Sequence, residues 1–593
     1  MVRTQRQERK RVTELIRKEE EREEQETEKA VKGYSAWSKK DLVAELEKVK
    51  KTKKYGLVWD EEHTKERFDA EAEGRLPILK EVKSKEVQTE TNSPLNFLVE
   101  GDNYHALSVL NYTHEGRIDV IYIDPPFNTG NKTWKYNNDY VERDDAFRHS
   151  KWISFMNKRL RLSKNLLKPS GVIVVAIDDY EIHALRFLMD EIFGESNRLG
   201  TIAVVHNPRG RNDDKYFATM HEYMLVYSKN ADLASVGYFE LTKEDEDAFS
   251  KLDEISPYNL TSYMRTGNNS DRPTRPKLFY AIYYEPNADR LDLEKSANSV
   301  EILPINNSGE EKTWRWGKET FLEKKDTELV VRKVKGKYRI FKKRRLTTLK
   351  GRKPRTVWYD SRYDASSHGI MLLQNMFRKK NVFPYPKSIW TVFDILKLVT
   401  KQDSIILDYF AGSGTTGHAV SLLNKEDGGR RQYILSTNNE GDICTEVCYP
   451  RLVMAIKGYT DLREKRVSGL GGNLKYYKTG FVDGEPTDRN KKKLVDQSTE
   501  MLCLREGCFE EVKSGKHYRL FKDNSRKHLG IVYEDNGISP IKDEIRRLGL
   551  PVNVYVFSLD QSSREEEFED ILPLVNLRPI PEVILNVYRR IFK

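Results

Sequence analysis

Apolar segments of strand length alternate with amphipathic helical segments in two separate stretches of this chain. In the first stretch, from Asn96 to about Asn230, apolar runs such as Val172–Ile177 are followed by segments in which apolar residues recur at helical spacing. This alternation predicts an α/β fold with a mostly parallel sheet and helices on both faces. The pattern stops near residue 231 and returns at Ile389–Leu396, so we expect one core interrupted by an inserted domain.

The chain of 593 residues is too long for a single hydrophobic core, and its composition changes along its length. An arm rich in Arg, Lys and Glu comes first, and the last segment has strand and helix signals of its own. We therefore predict a charged helical arm, a first core part, an inserted domain, a second core part and a C-terminal α/β domain involved in assembly. The boundaries are 1–90, 91–230, 231–380, 381–486 and 487–593.

The sequence contains no apolar run of membrane-spanning length, and its N-terminus is charged rather than a signal-peptide core. Four cysteines give no disulfide framework, which predicts a reducing, cytoplasmic environment. No histidine pair lies at metal-ligand spacing from Cys444/Cys448 or from Cys503/Cys508, so we expect ordinary thiols and no metal site.

An Asp-Pro-Pro-Phe motif, Asp124–Phe127, directly follows the apolar strand Val120–Ile123. An aromatic exocyclic amine is a poor nucleophile because its lone pair is delocalised into the ring. The carboxylate of Asp124 and the carbonyl of Pro125 can accept its two hydrogens and expose the lone pair, while Phe127 offers a flat face to a flipped base. The two prolines fix the backbone because their φ angles are nearly locked. The motif therefore predicts a site for a base amine rather than a simple proline-rich turn.

A glycine loop, Phe410–Thr416, follows a second apolar strand, Ile405–Leu407. Ligands of an open parallel sheet bind at the carboxyl ends of its strands, and glycines let backbone approach a ligand closely. The loop lacks the Gly-Lys-Ser/Thr ending of a phosphate-binding loop and differs from the dinucleotide fingerprint. Alone it is about equally compatible with a tight strand–helix turn, but the upstream motif favours a cofactor site. We expect a β-branched side chain at Gly414 to fill space that a cofactor needs.

The two motifs and their order resemble the β-class DNA amino-methyltransferases, in which the Asp-Pro-Pro-aromatic motif precedes the target-recognition domain and a Phe-x-Gly-x-Gly motif follows it. Within that class the chain most resembles the modification (Mod) subunits of type III restriction–modification systems. The resemblance implies a Rossmann-like, S-adenosylmethionine-dependent methyltransferase sheet with an inserted target-recognition domain and extra N- and C-terminal segments. The matching segments are Gly101–Asn103, Ile121–Gly130, Leu166–Gly171, Ile177–Glu181, Phe193–Glu195, Tyr385–Ser388, Leu407–Thr416, Thr437–Glu440 and Gly471–Leu474.

The resemblance also implies site residues. The amine site would comprise Asp124, Pro125, Pro126 and Phe127. The cofactor S-adenosylmethionine would contact the glycine loop, an acid at the end of the strand before it, two flanking motifs and a later acid: Phe410, Gly412, Ser413, Gly414, Thr415, Asp408, Asp102, Lys387 and Glu440. Many relatives carry an acid for the ribose hydroxyls at the end of the strand after the loop, whereas here the acid comes only at Glu440. Phe127 stands where the family usually has tyrosine; it keeps the stacking face and loses the hydroxyl.

The Asp-Pro-Pro-aromatic form implies methyl transfer to the N6 amine of adenine in double-stranded DNA by base flipping. An N4-cytosine enzyme, an RNA or protein substrate, and a catalytically silent DNA-recognition subunit are the alternatives. The intact motifs argue against the silent subunit, and the basic inserted segment argues against a protein substrate. The resemblance implies a homodimer. The sequence has no Gly-x-x-x-x-Gly-Lys-Ser/Thr loop, so any ATP-driven cleavage would need a separate restriction (Res) subunit.

A basic run, Arg332–Arg355, lies inside the expected inserted domain and contains no Asp or Glu. The formal charge of the whole chain is only +10, so local patches of this kind matter more than the sum. We expect most of these charges to meet DNA phosphates and a few arginines to read guanine edges, the alternative being a solvated hairpin. The residues predicted to contact DNA are Lys342, Lys343, Arg344, Arg345, Arg352 and Arg355.

Overall fold

The computed structural model describes most of the chain from residue 74 onward. The charged arm predicted for the N-terminal segment lies largely outside the described residues. The described residues are 38–40, 59–60, 64, 74–89, 93–136, 139–142, 144–211, 214–560 and 562–591.

Strands and helices alternate through the core, as the sequence pattern predicts. The strands are, in chain order, β1 (Arg75–Glu81), β2 (Leu95–Glu100), β3 (Ile118–Ile123), β4 (Asn131–Tyr136), β5 (Asp139–Glu142), β6 (Leu167–Ile177), β7 (Arg198–Val205), β8 (His221–Ser228), β9 (Lys251–Leu252), β10 (Pro257–Ser262), β11 (Ile282–Glu285), β12 (Arg290–Asp292), β13 (Val300–Ile302), β14 (Leu329–Val334), β15 (Lys337–Arg345), β16 (Val357–Trp358), β17 (Ile405–Asp408), β18 (Gln432–Thr437), β19 (Gly458–Thr460), β20 (Arg466–Ser468), β21 (Asn473–Asp483), β22 (Glu510–Ser514), β23 (Tyr518–Lys522), β24 (His528–Val532), β25 (Val552–Phe557) and β26 (Val575–Ile580). The α-helices are α1 (Asn103–Thr113), α2 (Arg148–Leu166), α3 (Ile182–Phe193), α4 (Lys243–Asp247), α5 (Lys318–Glu328), α6 (Met371–Phe377), α7 (Ile389–Val399), α8 (Thr415–Asp427), α9 (Tyr449–Lys457), α10 (Asp488–Asp496), α11 (Thr499–Glu506), α12 (Ile538–Leu548) and α13 (Glu582–Ile591).

The core is a ten-stranded sheet in the order β1-β21-β2-β18-β17-β3-β6-β8-β7-β16. Its central strands, from β21 to β6, all run parallel to one another. At one edge β1 is antiparallel to β21, and on the other side β8 is antiparallel to both β6 and β7. The predicted α/β class with a mostly parallel sheet is therefore confirmed.

Both faces of this sheet are buried, which explains why its strands are continuously apolar. Within β3, Ile121 and Ile123 pack on one face against residues of α1, α2 and α3, whereas Val120 and Tyr122 pack on the other face. That second face is covered by α7, α8 and α9. Each fully buried aliphatic side chain contributes roughly 1.5–3 kcal/mol, so the packing fixes where the strand ends lie.

The inserted segment forms small antiparallel sheets with a core of their own. One sheet has the order β14-β15-β10-β9 and another the order β12-β11-β13, and Tyr263, Trp314 and Phe321 are buried between their elements. The short strand β16 belongs to the range predicted for the insertion, yet it pairs in parallel with β7 of the core sheet. The exact division between core and insertion remains a prediction.

The C-terminal segment carries a five-stranded sheet, β22-β23-β24-β25-β26, that packs against the core. The Arg505 guanidinium donates to the Tyr112 carbonyl at 2.7 Å, and the Tyr588 hydroxyl donates to the Pro77 carbonyl. None of the helices among the described residues is both long enough and apolar enough to cross a membrane.

Candidate active site

The two sequence motifs leave the sheet side by side. Strand β17 lies between β18 and β3, and its Leu407 pairs with Ile121 of β3. Asp124 and Phe410 each come three residues after this pair. Because neighbouring parallel strands are about 4.8 Å apart, their carboxyl ends place the Asp-Pro-Pro-Phe motif next to the glycine loop.

The Asp-Pro-Pro-Phe motif is held by contacts from α2 and from the turn after β6. The Trp152 indole donates to the Pro126 carbonyl at 2.7 Å, and Pro125 is buried. The next residue, Asn128, has a φ of 53° and donates its side-chain amide to Glu181 at 2.5 Å. These contacts fix the direction in which Asp124 leaves the strand.

An ion-pair network surrounds the Asp124 carboxylate. The Lys387 ammonium lies 3.1 Å from Asp124 Oδ1 and 2.5 Å from Glu222 Oε2. It also lies 4.3 Å from the centre of the Phe127 ring. One lysine thus contacts both the carboxylate and the aromatic face that the sequence assigns to a base amine and its ring.

Burial and charge oppose each other at this network. Burial raises the pKa of Asp124 to about 6, with Lys387 lowering it and Glu222 raising it. For Lys387, burial favours the neutral amine, but Asp124 and Glu222 together raise its pKa above the usual value. At the end of β6, burial raises the pKa of Asp178 to about 7, against the opposing charges of Lys387 and Arg211. The edge of the sheet therefore carries carboxyl groups that titrate near neutral pH.

The glycine loop starts from a buried carboxylate. Asp408 is only 3% exposed; it accepts the Phe410 amide at 2.9 Å and the Thr416 hydroxyl at 2.5 Å, so it ties together the two ends of the loop. Burial raises the pKa of Asp408 to about 7, which the two hydrogen bonds oppose. Gly412 and Gly414 have φ values of 50° and 79°, which side-chain-bearing residues rarely adopt.

The hydroxyls of the glycine loop turn inward onto a buried arginine. Arg451 of α9 donates through Nη1 to the Ser413 hydroxyl at 3.0 Å and to the Thr415 hydroxyl at 2.8 Å. The guanidinium is fully buried, and burial lowers its pKa to about 10. Ser413 and Thr415 therefore support the loop from behind, which leaves its backbone for a ligand.

Asp102 joins the glycine loop through α1 and α2. It caps α1 by accepting the Tyr104 amide at 2.7 Å, and the Arg159 guanidinium lies 3.5 Å from its other oxygen. Arg159 in turn lies 3.6 Å from the centre of the Phe155 ring, whose own partner is Phe410 at 5.8 Å between ring centres. The structure thus brings Asp102, Asp408 and the glycine loop together.

Two residues predicted from the sequence to bind the cofactor lie elsewhere around this edge. Lys387 stands at the Asp-Pro-Pro-Phe motif through its contacts with Asp124 and Glu222. Glu440 is exposed in a short turn after β18, beyond the carboxyl end of that strand. Their cofactor roles remain predictions.

The predicted DNA-contacting residues are split by the structure. Arg345 is 4% exposed and pairs with Asp253 at 2.7 Å and Glu328 at 2.6 Å, and Lys343 pairs with the same Asp253 at 2.7 Å. These two side chains are engaged within the inserted segment. The remaining four are at least partly accessible: Lys342, Arg344, Arg352 and Arg355.

Several residues of the site escaped the sequence analysis. The most important is Glu222, a 3% exposed carboxylate at the start of the apolar strand β8. A lone acid inside such a strand was an available signal, because a buried carboxylate requires a partner. The others are Trp152 and Arg451, whose partners lie in other segments, in the Asp-Pro-Pro-Phe motif and in the glycine loop. Asn128 and Asp178 lie in segments that match the family, but the sequence assigned them no role.

The chain is similar in sequence to known proteins. A family model described as DNA methylase (N6_N4_Mtase) matches residues 118–446. The chain is similar to the type III restriction-modification enzyme EcoPI Mod subunit of Escherichia phage P1, with 33% identity over 393 residues, 61% of this chain and 60% of that protein. It is also similar to the type II methyltransferase M.KpnI of Klebsiella pneumoniae, with 35% identity over 384 residues, 64% of this chain and 90% of that protein.

Among solved structures, the M1.HpyAVI–SAM complex aligns with a TM-score of 0.28 and 14% identity, over 61% of this chain and 97% of that one. The match to the EcoPI Mod subunit leaves two fifths of that protein's length outside it, since the chain spans only 60% of it.

Proposed function

Because this chain belongs to the N6_N4_Mtase family of DNA methylases, we propose that it transfers a methyl group from S-adenosylmethionine to the N6 amine of adenine in duplex DNA. The observation that carries the proposal is the position of Asp124 beside the glycine loop, at adjoining carboxyl ends of β3 and β17. The base amine at the first motif, which accepts the methyl group, and the methyl donor at the second motif would face each other there.

The residues around the glycine loop fit S-adenosylmethionine. When bound, this cofactor supplies an electrophilic methyl group on a positively charged sulfur. Acidic groups at Asp102 and Asp408 and the ring of Phe410 suit a cation, and the left-handed backbone at Gly412 and Gly414 lets a ligand approach the main chain. We propose that these five residues bind the cofactor and that Arg451 supports the loop through its hydrogen bonds to Ser413 and Thr415.

Asp124 acts on the base amine in this proposal. Its carboxylate accepts one hydrogen of the amine, the Pro125 carbonyl accepts the other, and Phe127 stacks on the flipped ring. As the nitrogen gained the methyl group, the methyl–sulfur bond would break with its electron pair left on the sulfur, which gives S-adenosylhomocysteine. The nitrogen becomes cationic, and Asp124 takes one of its protons. Burial raises the pKa of Asp124, so its carboxyl group can hold that proton before water takes it.

Lys387 has to yield its contacts when a base enters. Its ammonium lies 3.1 Å from Asp124 and 4.3 Å from the centre of the Phe127 ring, the two groups the base would use. Glu222, at 2.5 Å, offers the ammonium a partner that the base does not compete for. We assign Lys387 the role of keeping Asp124 ionised before the base arrives.

Asp124→Ala tests the assignment in a tritiated-methyl transfer assay on duplex DNA. We expect the rate to fall at least about 10²-fold, as for other preorganised hydrogen-bonding groups, while affinity for S-adenosylmethionine stays within a few-fold. Asp326→Ala is the control, because that carboxylate is 74% exposed on α5, in the inserted segment. Near wild-type turnover of Asp124→Ala would reject the catalytic role.

The same assay separates the alternatives for the substrate. Digestion of the labelled DNA to nucleosides should place the label on N6-methyladenine; label on N4-methylcytosine would establish the second candidate. A wild-type chain that binds DNA but transfers no methyl group would be a silent recognition subunit. Long-read sequencing of host DNA with and without the gene would then identify the methylated site.

The names of the relatives extend the proposal to assembly. Similarity to Mod subunits supports a separate Res subunit as a further partner. We also propose a homodimer that works in the cytoplasm, which the resemblance to this family implies. Light scattering tests the homodimer, since a monomer of 69.3 kDa at micromolar concentration would contradict it.

A further inference from the structure

A hairpin loop joins β7 to β8 beside the candidate active site. Val205 and His221 are paired at its base, and it lies at the sheet edge where Asp124 and Asp408 leave the core. At its start, His206 Nδ1 lies 4.0 Å from Glu222, the carboxylate that holds Lys387. We call the described residues 206–211 and 214–220 the β7–β8 hairpin. Its base is thus part of the amine site.

The β7–β8 hairpin is an ordered extension. The Asn207 amide donates to the Met220 carbonyl at 3.1 Å, and the Arg211 amide donates to the Thr219 carbonyl at 3.2 Å. Asp214 accepts the Thr219 amide at 2.7 Å, which closes the tip. Gly210 has a φ of 73°, and a Cβ placed there would meet the Ala218 side chain at 2.7 Å. The two arms therefore pack closely enough to present the tip in a defined direction.

The tip exposes two adjacent aromatic rings. Phe217 is 90% exposed, the highest value among the large hydrophobic residues of the described chain, and Tyr216 is 79% exposed. A soluble domain gains nothing from holding such rings in water, so they indicate a binding surface. Tyr385, two residues from Lys387, is 78% exposed near the same edge. Exposed aromatic rings thus occur both at the tip of the hairpin, whose base contacts Glu222, and two residues before Lys387.

Between residues 206 and 220 the sequence has three basic residues and two acids, Asp213 and Asp214, a small positive excess that suits a polyanion. Arg209, Arg211 and Lys215 are exposed, and the Lys215 ammonium lies 5.0 Å from the centre of the Tyr216 ring. The carboxylate of Asp214 is turned back onto the Thr219 amide. Cations beside aromatic rings match the phosphates and bases of DNA better than they match an apolar protein surface.

We propose that the β7–β8 hairpin is a wedge that enters duplex DNA next to the target base. Phe217 and Tyr216 fill the stacking gap that opens as the base turns into the pocket of Asp124 and Phe127. A base leaves the stack at the cost of unstacking and unpairing, and aromatic or apolar side chains inserted between base steps offset that cost. The proposal rests on the proposed function, because it needs a flipped base.

The test compares two duplexes that carry the site methylated by the wild-type protein. In one the target base is paired, and in the other it faces an abasic position, where flipping costs less. Replacing both Tyr216 and Phe217 with alanine should lower kcat/KM about 10- to 100-fold on the paired duplex, the range expected for losing one or two stacked rings. Most of that loss should disappear on the abasic duplex. Phe217→Trp should keep near wild-type activity on both.

Further measurements make the outcome decisive. A 2-aminopurine at the target position should fluoresce less with the double variant than with the wild type, because less of the base is flipped. Leu572 is an exposed apolar residue of the C-terminal segment, so Leu572→Ala is the control and should change kcat/KM on neither duplex. The wedge would be overturned if the double variant lost kcat/KM equally on both duplexes or lost it on neither. It would also be overturned if the double variant kept normal activity but showed a changed mass in light scattering. Failure of the wild type to transfer methyl groups at all would instead reject the proposed function.

Discussion

Lys387→Met should move the pH dependence of methyl transfer to higher pH. The reaction needs an ionised Asp124, so the rate falls as pH drops through the pKa of that carboxyl group. In the wild type this pKa is about 6, raised by burial and held down by Lys387. Removing the ammonium leaves burial and the negative charge of Glu222, both of which favour protonated Asp124.

The size of the effect follows from the separation of 3.1 Å between Lys387 Nζ and Asp124 Oδ1. At an effective dielectric constant of about 20, two unit charges at that distance attract with about 5 kcal/mol. Water at the partly open site weakens this attraction, and a single opposite charge usually moves a carboxyl pKa by about 1–3 pH units. With a midpoint about two units higher, only about a tenth of Asp124 would be ionised at pH 7.

Glu222→Gln should act in the opposite direction. Glutamine keeps the shape of the side chain but removes the negative charge that raises the pKa of Asp124. The acid limb should therefore move to lower pH. The assay is kcat/KM for duplex DNA between pH 5 and pH 9.5, because that ratio reports groups of the free enzyme.

Lys397→Met is the matched control, because Lys397, like Lys387, bridges two carboxylates, those of Glu240 at 2.9 Å and Glu426 at 2.7 Å. It lies on α7, ten residues beyond Lys387, and should leave the acid limb unchanged. The reasoning is refuted if Lys387→Met lowers the rate equally at every pH, or if both active-site variants shift the limb in the same direction.

Three further variants probe the supports of the site. Gly414→Val should abolish binding of S-adenosylmethionine in calorimetry, because its Cβ would meet Cys448 Sγ at 3.1 Å. The residue also needs a φ of 79°, a conformation that costs a side-chain-bearing residue about 1–2 kcal/mol or more. Unchanged affinity would contradict this prediction. Arg451→Met should weaken the same binding about tenfold, the loss of about one or two hydrogen bonds, with little change in the salt dependence of DNA affinity. The double variant Lys342→Ala with Arg344→Ala should flatten the plot of log DNA affinity against log salt without lowering the melting temperature.

The core was accessible from the sequence because both motifs sit at the ends of short apolar strands. The strand period and the rule that ligands bind at carboxyl ends are local, and they predict that Asp124 and the glycine loop leave the sheet at one edge, where the structure has them. Asp408 came only from the resemblance to the family. The structure adds a contact that the motif does not show: a Cβ at Gly414 would meet Cys448 Sγ at 3.1 Å. A motif gives the position of a glycine, but the direction of its missing side chain depends on the packing of a later helix.

The charge network around Asp124 could not be found in the same way. Glu222 and Lys387 are 165 residues apart, on either side of the inserted segment, and neither belongs to a local pattern that points to the other. Only the sheet order, with β8 next to β6 and β6 next to β3, brings Glu222 to the edge where Asp124 stands. Tertiary pairing of this kind sets the pKa of the site, so a sequence motif predicts the carboxylate but not its titration.

The basic run shows how a local pattern can be read too coarsely. Its densest part lies in strand β15, where successive side chains point to opposite faces. Lys343 and Arg345 therefore share one face and meet Asp253, whereas Arg344 points the other way and is exposed. Arg345 is itself buried and pairs with Asp253 and Glu328, so Arg345→Ala should destabilise the inserted segment more than it should weaken phosphate contacts. A run that counts as four charges in sequence thus offers about two to DNA, and the strand period decides which two.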